Sequence, residues 1–298
     1  MSRVRSTPVS TRCSIIINPT SGSYSEKVVG RVVATLREGG LDPLVLPTAG
    51  PDDAAAFAAR ICAREPSPLI IAAGGDGTVN GVINGLEPGR ATVAFLPLGT
   101  SNVLARELGI GSAEEAARRI IRGETRPLTV GLLEGFGVRR RFFLMAGVGF
   151  DGLVVEGVRG GEKRRFGAAA YLLSALRTFA AWETKSMAVT AGGERRLCHS
   201  VVVCNAARYG GNHLLAPGAN LFGPEFGVVC LGGSRRRDYL RLALNVVAGR
   251  GARGSGVSLF HAAEVEIGGN KPVQVDGDFV CHGPVRISSL PGFARLVV

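Results

Sequence analysis

A strand–loop–helix unit recurs in the first half of the 298-residue chain and constrains the fold more than any other feature. Each unit opens on a continuous apolar run, passes through a loop rich in Gly, Ser or Thr, and continues with apolar residues at helical spacing. Such alternation is typical of a parallel sheet covered on both faces. The predicted strands are Ser14–Ile17, Leu44–Leu46, Leu69–Ala73 and Thr92–Leu96, each followed by a helix, with another helix at residues 113–123.

The loops of these units are expected to share one edge of the sheet, because ligands of parallel sheets bind beyond the carboxyl ends of the strands. They contain Asn18, Thr48, Gly74 and Pro97. Glycine loops and helix starts present backbone N–H groups that favour phosphate. One such loop could be a tight turn alone, but several on one edge predict a phosphorylated ligand.

One carboxylate, Asp76, lies among the glycines of the stretch IIAAGGDGTVNGVINGL. The glycines would let a polyphosphate approach the backbone, whereas the charge of Asp76 would repel it. Asp76 therefore suits a role in orienting Mg²⁺ or its water, or in accepting a proton from an attacking hydroxyl. The alternative is that Asp76 only caps a helix that starts near Thr78.

The second half changes pattern after about Gly135, to apolar–polar alternation between glycine-rich turns. This predicts an antiparallel β domain interrupted by one helix near residues 168–180. The alternating runs EVEI and VQVD, with Gly268-Gly269-Asn270 between them, are predicted to be strands joined by that turn. In VDGDF, Asp276 and Asp278 flank Gly277, and Asp-Gly by itself also indicates a hairpin turn.

The predicted organisation is therefore an α/β N-terminal domain with a mainly parallel sheet plus a mainly antiparallel β C-terminal domain. The predicted divisions are a flexible tail at residues 1–12, a nucleotide-binding domain at 13–134, a β-rich substrate domain at 135–284, and C-terminal strands at 285–298, for which a return to the first domain is open.

The net charge of +11 suggests an anionic partner. Three short basic runs, Arg139–Arg141, Lys163–Arg165 and Arg235–Arg237, fit solvated loop ends singly and an anionic surface together. Nucleic acid is disfavoured, because aromatic residues are only 6% of the chain and no base-reading motif is present. The six cysteines show no metal-binding spacing and indicate reduced, buried thiols in a cytoplasmic protein.

The N-terminal residues lack the apolar segment of a secretory signal, and no run of about 18 apolar residues predicts a membrane-spanning helix. The nearest candidate, Phe166 to Trp182, is interrupted by Arg177 and is expected to be a core helix rather than a membrane segment.

These motifs together resemble the diacylglycerol kinase catalytic-domain family, which includes bacterial soluble lipid kinases, sphingosine kinases and ceramide kinases. The resemblance covers nearly the whole chain from Ser14 onward. GGDGT alone is also similar to the loop of NAD kinases and 6-phosphofructokinases, but the ordered set is specific. That set is NPTSG, GGDGTVN, PLGTSNVLAREL, KRRFGAAAYLLSALRTF, CNAARYGG, LAPGA and VQVDGD.

The resemblance implies ATP-dependent phosphorylation of a membrane-lipid hydroxyl by a two-domain enzyme, with a 6-phosphofructokinase/NAD kinase-like first domain and the nucleotide in the cleft. It implies ATP and Mg²⁺ as cofactors, and a peripheral enzyme at an anionic membrane surface. By matching position, Asp276 is the expected general base, whereas in sphingosine kinases that role is given to the position that Asp76 matches. Asp76 and Asp278 are the expected metal ligands. The implied ATP contacts are Asn18, Pro19, Thr20, Ser21, Gly22, Thr48, Gly74, Gly75, Asp76, Gly77, Thr78, Val79, Asn80 and Thr100.

Three positions depart from the family pattern. Val103 follows Asn102 where Asp is frequent, which leaves the lipid head group open. Asp278 replaces Glu in the family's DGE, which shortens that carboxylate by one methylene. Gly223-Pro224 replaces Asp-Gly, so a structural Mg²⁺ site built on that aspartate is expected to be missing.

A lipid kinase is thus the leading interpretation. The alternatives are a kinase of the NAD or sugar-phosphate type, which NPTSG and the second half disfavour, and a non-catalytic relic that binds nucleotide or lipid. A Rossmann oxidoreductase is least favoured, because the GGDGTVN loop lacks the third glycine of that motif. The acceptor lipid and the oligomeric state are left open by the sequence.

Overall fold

The structure is a computed structural model and describes residues 11–158 and 169–298. The predicted N-terminal tail up to residue 10, the Lys163–Arg165 run and the start of the predicted apolar helix lie outside the described residues. The described residues form two compact units. The first comprises the described residues up to Gly99, Leu108–Arg126 and Ala294–Val298, and the second comprises Thr100–Glu107 and Pro127–Phe293 apart from the undescribed segment.

The strand–loop–helix units predicted for the first half are present, and β1 begins within the predicted tail, at Thr11. In chain order the elements are β1 (Thr11–Ile17), α1 (Glu26–Glu38), β2 (Leu41–Pro47), α2 (Asp53–Arg64), β3 (Leu69–Gly74), α3 (Asp76–Gly85), β4 (Thr92–Pro97), α4 (Val103–Leu108) and α5 (Ala113–Arg122). 

The sheet of the first unit confirms the predicted parallel arrangement. Its strands pair in the order β2, β1, β3, β4, all parallel, so their carboxyl ends meet at one edge. Residues Ile70 to Ala73 of β3 are fully buried, as expected for a strand covered on both faces. On α3, Val79, Val82 and Ile83 form the predicted buried stripe.

The second half contains the remaining elements. They are β5 (Thr125–Gly135), β6 (Val138–Phe142), β7 (Met145–Val148), α6 (Phe150–Glu156), α7 (Ala169–Ala180), β8 (Met187–Ala191), β9 (Glu194–Cys198), β10 (Ser200–Cys204), β11 (Arg208–Tyr209), β12 (His213–Leu214), β13 (Phe226–Leu231), α8 (Arg236–Val247), β14 (Val257–Ala262), β15 (Glu264–Ile267), β16 (Pro272–Val275), β17 (Asp278–His282) and β18 (Val285–Val297).

Antiparallel pairing dominates the second unit, as predicted. One sheet has the order β14, β13, β10, β7, β16, β17, and a second group pairs β18, β15, β8 and β9. Buried side chains from both, among them Val201, Phe226, Val265 and Ile287, form one apolar core. In the first unit, Arg295 and Leu296 at the end of β18 pair in parallel with β4.

The prediction that EVEI and VQVD form a hairpin is wrong. β15 pairs with β18 and β8, whereas β16 pairs with β7 and β17 in the other sheet. Gly268 instead donates its N–H to the carbonyl of Ala188, 2.8 Å away. Because β16 is buried throughout, it requires neighbours on both sides, which a hairpin with β15 would not supply.

The prediction of one helix in the second half is also wrong, because the described residues contain α6, α7 and α8 there. Gly149, at φ 93°, follows β7 as the N-cap of α6, so the chain passes directly from strand to helix there. The expectation that the Phe166–Trp182 segment is a core helix fails over its described part. Helix α7 buries only Ala170 and Ser174, whereas three leucines, Leu172, Leu173 and Leu176, are exposed.

All six cysteines are free thiols, and each is buried except Cys281, which is half-buried. Across residues 11–158 and 169–298, none of the helices has the length and apolar character required to span a bilayer.

Candidate active site

Three loops at the carboxyl edge of the parallel sheet are joined by backbone hydrogen bonds. The N–H of Asn18 donates to the carbonyl of Ala73 at 2.9 Å, and the N–H of Leu98 donates to the carbonyl of Gly74 at 2.8 Å. The N–H of Ser23 donates in turn to the carbonyl of Leu98 at 2.9 Å. The loops that follow β1, β3 and β4 therefore form one connected platform, as their positions in the sequence predicted.

The NPTSG loop is held by its own asparagine. Asn18 Oδ1 accepts hydrogen bonds from the N–H of Thr20 at 2.9 Å and from its hydroxyl at 2.8 Å. Such an Asx turn fixes the loop without using the outward-facing backbone. Thr48 joins the same edge, since its N–H donates to the carbonyl of Ile17 at 2.8 Å. Pro19, Ser21 and Gly22 complete this loop.

The three glycines of the GGDGT loop differ in how much space a side chain would find at each position. A Cβ on Gly74 would lie 2.3 Å from Thr78 Oγ1, so this glycine is required by packing. A Cβ on Gly75 would meet only Gly99 Cα at an ordinary 3.5 Å, and a Cβ on Gly77 would meet nothing within 4 Å. The open space in front of Gly77 and the absence of a side chain at Gly75 fit a ligand that approaches the backbone closely.

Asp76 does not cap α3. The N-cap is Gly75, the helix has no side-chain cap, and Asp76 is its first helical residue. A negative charge in the first turn is favoured by the helix dipole, but the capping explanation for this residue is wrong. Thr78, Val79 and Asn80 are buried, so their side chains belong to the packing of the unit rather than to the exposed loop.

Thr100, the remaining predicted nucleotide contact, is exposed and directly follows Gly99, but it is the first residue of the chain segment that belongs to the second unit. The role of Thr100 and those of the other predicted contacts stay predictions.

The Asp276-Gly277 pair forms the two-residue turn between β16 and β17. Val275 pairs with Asp278, and the φ angles of Asp276 and Gly277 are 47° and 89°. Positive φ at both positions is the geometry of a type I′ turn, for which Asp-Gly is a preferred sequence. The hairpin interpretation of VDGDF is therefore confirmed, and it does not exclude a chemical role for Asp276.

The carboxylate of Asp276 is positioned by the backbone between β6 and β7. Its Oδ2 accepts from the N–H of Phe143 at 3.0 Å, and its Oδ1 accepts from the N–H groups of Leu144 and Met145, both at 2.9 Å. The N–H of Asp276 also donates to the carbonyl of Met145 at 2.9 Å. Charge-assisted bonds to three adjacent amides fix both the turn and the direction of the carboxylate.

A second carboxylate, Asp151, supports this turn from within the unit. Gln274 Nε2 donates to Asp151 Oδ2 at 2.6 Å, while Gln274 Oε1 accepts from the N–H of Gly277 at 2.8 Å. The Tyr209 hydroxyl donates to Asp151 Oδ1. The Tyr171 hydroxyl donates to the carbonyl of Gly277 at 3.0 Å. The turn is therefore held on two sides, although sequence reasoning had identified none of these partners.

Burial dominates the electrostatics of this network. Desolvation raises the pKa of Asp151, and the hydrogen bonds from Tyr209 and Gln274 oppose that effect. Desolvation also raises the pKa of Tyr209 well above its ordinary value, so the phenol keeps the proton that it donates. Gly147 makes room for Asp151, because a Cβ there would lie 1.7 Å from Oδ2. In the GVGFD sequence, Gly147 thus leaves the space that the buried Asp151 carboxylate occupies.

Replacing Tyr209 by Phe should lower the free energy of unfolding by about 1–3 kcal/mol, because the buried Asp151 carboxylate loses a donor. Urea unfolding measures this, with Tyr24→Phe as the matched control, since the Tyr24 hydroxyl is not part of the network. Equal changes in the two variants would contradict the importance of the Tyr209–Asp151 bond.

The other predicted metal ligand, Asp278, is the exposed first residue of β17. Asp278 lies in the second unit and Asp76 in the first. Among the described residues, no group of three or more His, Cys, Asp or Glu side chains could hold a metal ion.

Residues that depart from the family pattern are buried or hydrogen-bonded within the fold. Val103 is buried at the start of α4. The carbonyl of Gly223 accepts from the Thr129 hydroxyl at 2.6 Å, and the carbonyl of Pro224 accepts from the Ser289 hydroxyl at 2.7 Å. Hydroxyl donors therefore fix the Gly223-Pro224 segment, which lacks the aspartate of the family pattern.

Glu107 is a further positioned carboxylate that sequence reasoning missed. Its Oε1 accepts from the N–H groups of Ala207 and Arg208, and its Oε2 lies 3.7 Å from Arg208 Nε. It belongs to the motif NVLAREL and its side chain is only 13% exposed. An acid between apolar positions of a short helix, VLAREL, was the available signal.

The second unit also contains a cavity of about 540 Å³ between α6, α7 and the segment after α7. Its size falls within the range of about 300–1,000 Å³ that is usual for small-molecule sites. The lining includes the apolar side chains of Phe150, Leu153 and Trp182 and the charged side chains of Glu156, Arg177 and Glu183.

The family model for the diacylglycerol kinase catalytic domain matches residues 12–133, and the model for the YegS C-terminal NAD kinase beta sandwich-like domain matches residues 145–298. The second match covers more than half of the chain. The chain belongs to the diacylglycerol kinase catalytic-domain family. The predicted family and the predicted fold class are thereby confirmed, and the chain is a member of a lipid kinase family.

Two relatives show how far this diacylglycerol kinase-family chain is similar to known proteins. It is 30% identical to a protein of Pseudomonas aeruginosa (strain UCBPP-PA14) that bears the name "Probable lipid kinase YegS-like", over 90% of this chain and 88% of the relative. It is 29% identical to the diacylglycerol kinase of Bacillus subtilis (strain 168), over 90% of each chain.

Solved structures support the same fold. A diacylglycerol kinase from Bacillus anthracis str. Sterne superposes with a TM-score of 0.79 at 24% identity, covering 98% of each chain. An NAD kinase from Archaeoglobus fulgidus in complex with ATP superposes with a TM-score of 0.54 at 14% identity, covering 97% of this chain and 94% of that one.

Proposed function

We propose that this chain is an ATP-dependent kinase that phosphorylates a hydroxyl group of a membrane lipid. The observation that carries the proposal is the Asp276 carboxylate, which three backbone amides hold at the tip of a hairpin, in a chain that also has the GGDGT platform. Its relatives bear the names of diacylglycerol and lipid kinases, which favours a lipid acceptor over a nucleotide acceptor.

The platform would bind the phosphates of ATP. Phosphoryl transfer depends chiefly on positioned phosphates and on charge stabilisation, with little covalent chemistry for the protein to perform. The open space at Gly77 and the lack of a side chain at Gly75 allow close approach to the backbone, and the start of α3 favours negative charge. These features supply binding and orientation.

The proposed reaction joins the lipid hydroxyl oxygen to the γ-phosphorus as the bond between that phosphorus and the β-bridging oxygen breaks. ADP is the leaving group. The hydroxyl proton passes to the Asp276 carboxylate, which needs no other co-reactant. Because the amides of residues 143–145 fix this carboxylate, it can accept the proton from one direction without reorganising.

Mg²⁺ in nucleotide sites is usually held by one or two carboxylates together with the substrate phosphates. Asp76, half-buried at the platform, fits that manner of binding, and Asp278 is the second proposed ligand. When bound, the ion would neutralise charge on the phosphates. Asp76 would orient it or its water.

The cavity beside α6 supports a substrate with an apolar part, because Phe150, Leu153 and Trp182 line it. A lipid with long acyl chains does not leave the bilayer readily, since each buried CH₂ is worth about 0.8 kcal/mol. We therefore propose a peripheral enzyme at an anionic membrane surface, consistent with the net charge of +11.

Turnover of labelled ATP against a panel of lipid alcohols in anionic mixed micelles tests the function. The panel includes diacylglycerol, a sphingoid base, ceramide, phosphatidylglycerol and an undecaprenol-like alcohol, with NAD as a separate arm. Phosphorylated lipid is the expected product. Transfer to NAD alone would replace the proposal with an NAD kinase, and ATP binding without any transfer would identify a non-catalytic relic.

Replacing Leu153 by Trp should reduce turnover of a long-chain acceptor at least tenfold while sparing its short-chain analogue, because the larger side chain would fill part of the cavity. Initial rates for the two acceptors measure this. Leu197→Trp is the control, since Leu197 is exposed on β9 outside the cavity. Equal loss for both acceptors would exclude the cavity as the acyl site.

A further inference from the structure

Helix α8 exposes an apolar stripe. Leu240, Leu244 and Val247 are 54%, 69% and 71% exposed. They recur at positions i, i+4 and i+7, so they lie on one side of the helix. Three large apolar side chains this exposed on one helix indicate a surface that contacts something other than water.

The same side of α8 is basic. Arg237 and Arg241 are exposed beside the stripe, and Arg250 and Arg253 follow the helix. Asp238, the only acidic residue of α8, has a side chain that is just 13% exposed, and its Oδ1 lies 4.0 Å from Arg237 Nε. We call Leu240, Leu244, Val247, Arg237 and Arg241 the α8 face.

The inner side of α8 is firmly anchored. The Tyr239 hydroxyl lies 2.5 Å from His199 Nδ1, and His199 Nε2 lies 2.6 Å from the carbonyl of Glu183, to which it must donate. Desolvation lowers the pKa of His199, which keeps the ring neutral with Nδ1 as the acceptor. Arg236 donates to the carbonyl of Ala180 at 3.0 Å.

The segment after the helix folds back on it, because Asn245 Nδ2 donates to the carbonyl of Arg253 at 2.9 Å and the N–H of Arg250 donates to the carbonyl of Asn245 at 2.8 Å. The α8 face is therefore presented by a fixed helix with a fixed basic end.

We propose that the α8 face is the surface by which this protein lies on an anionic lipid bilayer. Apolar side chains flanked by arginines are the pattern of helices that lie in the membrane interface, where the stripe enters the acyl boundary and the cations meet the head groups. A second copy of this chain fits less well, because self-contact would bring two arginines from each copy together with only one largely covered carboxylate, Asp238, beside them. This inference rests on the proposed membrane-lipid substrate.

The described part of α7 also exposes leucines, but its one arginine, Arg177, lines the cavity. The combination of an apolar stripe with outward cations distinguishes α8.

Cosedimentation with vesicles of phosphatidylcholine and phosphatidylserine tests the α8 face, with pure phosphatidylcholine for comparison. Arg237→Gln with Arg241→Gln should weaken binding roughly thirtyfold, since each arginine near an anionic leaflet contributes about 1 kcal/mol. Leu240→Gln with Leu244→Gln should weaken it about tenfold or more. Binding of the unchanged protein should fall with added salt, because exposed charges are screened over about 8 Å at physiological ionic strength.

The matched charge control is Arg37→Gln with Arg64→Gln, which removes the same two charges from exposed positions on α1 and α2. It should retain binding. Equal loss in the control would mean that only net charge matters and would overturn the α8 face. Unchanged binding of the α8 variants would overturn it as well. So would self-association, detected by analytical ultracentrifugation, that the leucine variants abolish.

The kinase proposal is tested separately. Turnover of a water-soluble short-chain acceptor needs no docking to a lipid surface, so the α8 variants should keep the unchanged protein's rate on that acceptor and its thermal unfolding midpoint. If the unchanged protein phosphorylates no lipid, the proposed function fails while vesicle binding still decides the role of the α8 face.

Discussion

Asp276→Asn is expected to lower turnover about 10²–10⁴-fold, because the amide can no longer accept the proton of the lipid hydroxyl. Affinity for Mg-ATP should be nearly unchanged, since the nucleotide is assigned to the platform of the first unit. Turnover on an accepted lipid and calorimetric binding of Mg-ATP measure the two quantities. Asp42→Asn, at an exposed position of β2, controls for the lost charge.

Asp276→Asn is also expected to lower the stability of the fold. The new amide would face the N–H of Phe143, which now donates to Asp276 Oδ2 at 3.0 Å. Loss of one such bond costs about 1–3 kcal/mol of stability. Urea unfolding therefore accompanies the kinetics, so that a folded variant with reduced turnover is separated from an unfolded one.

Asp76→Asn distinguishes the two carboxylates. It should raise the Mg²⁺ concentration needed for half-maximal rate or weaken Mg-ATP binding, because Asp76 is assigned to the metal and phosphates. If Asp276→Asn weakens Mg-ATP and Asp76→Asn does not, the roles are reversed. If neither variant lowers turnover, both assignments are wrong.

Gly75→Val is expected to weaken ATP binding by roughly 100-fold or more while the protein stays folded. The backbone at Gly75, with φ −98° and ψ −176°, is extended and suits a β-branched residue. A Cβ there would make only an ordinary contact, 3.5 Å from Gly99 Cα. The added methyl groups would instead occupy the space assigned to the phosphates.

Calorimetry on the folded variant measures this change. Gly30→Val is the control, because a Cβ on Gly30 meets nothing within 4 Å and this residue lies on α1 rather than in the platform loops. Gly74 is unsuitable for this purpose, since its substitution would collide with Thr78. Unchanged ATP affinity in folded Gly75→Val would remove the loop from the nucleotide site.

Local patterns in the sequence were sufficient for the first unit. Short continuous apolar runs such as Leu69–Ala73 are typical of strands buried on both faces, and the stripe of Val79, Val82 and Ile83 fixes which side of α3 packs. Parallel strands place their loops on one edge by geometry alone. The shared edge of Asn18, Thr48 and Gly74 therefore followed from the sequence.

Pairing between distant segments was not accessible in the same way. EVEI and VQVD have the alternation of a hairpin, but β15 and β16 entered different sheets, because the strands that cover them come from elsewhere in the chain. Periodicity defines the two sides of an element and does not identify its neighbour. Helix α8 shows the same limit, since the apolar character of its leucines did not reveal that they are exposed in the fold.

The sequence by itself determined the sheet class and the glycine platform around Asp76, because both depend on spacing along the chain, whereas Asp276 became a candidate base only through the resemblance to a known family. Only the tertiary structure decided how Asp276 is held. Its partners, residues 143–145, lie more than 130 positions away, and the buried Asp151 and Gln274 meet over a similar distance. Such contacts arise when packing removes polar groups from water and forces them to find one another.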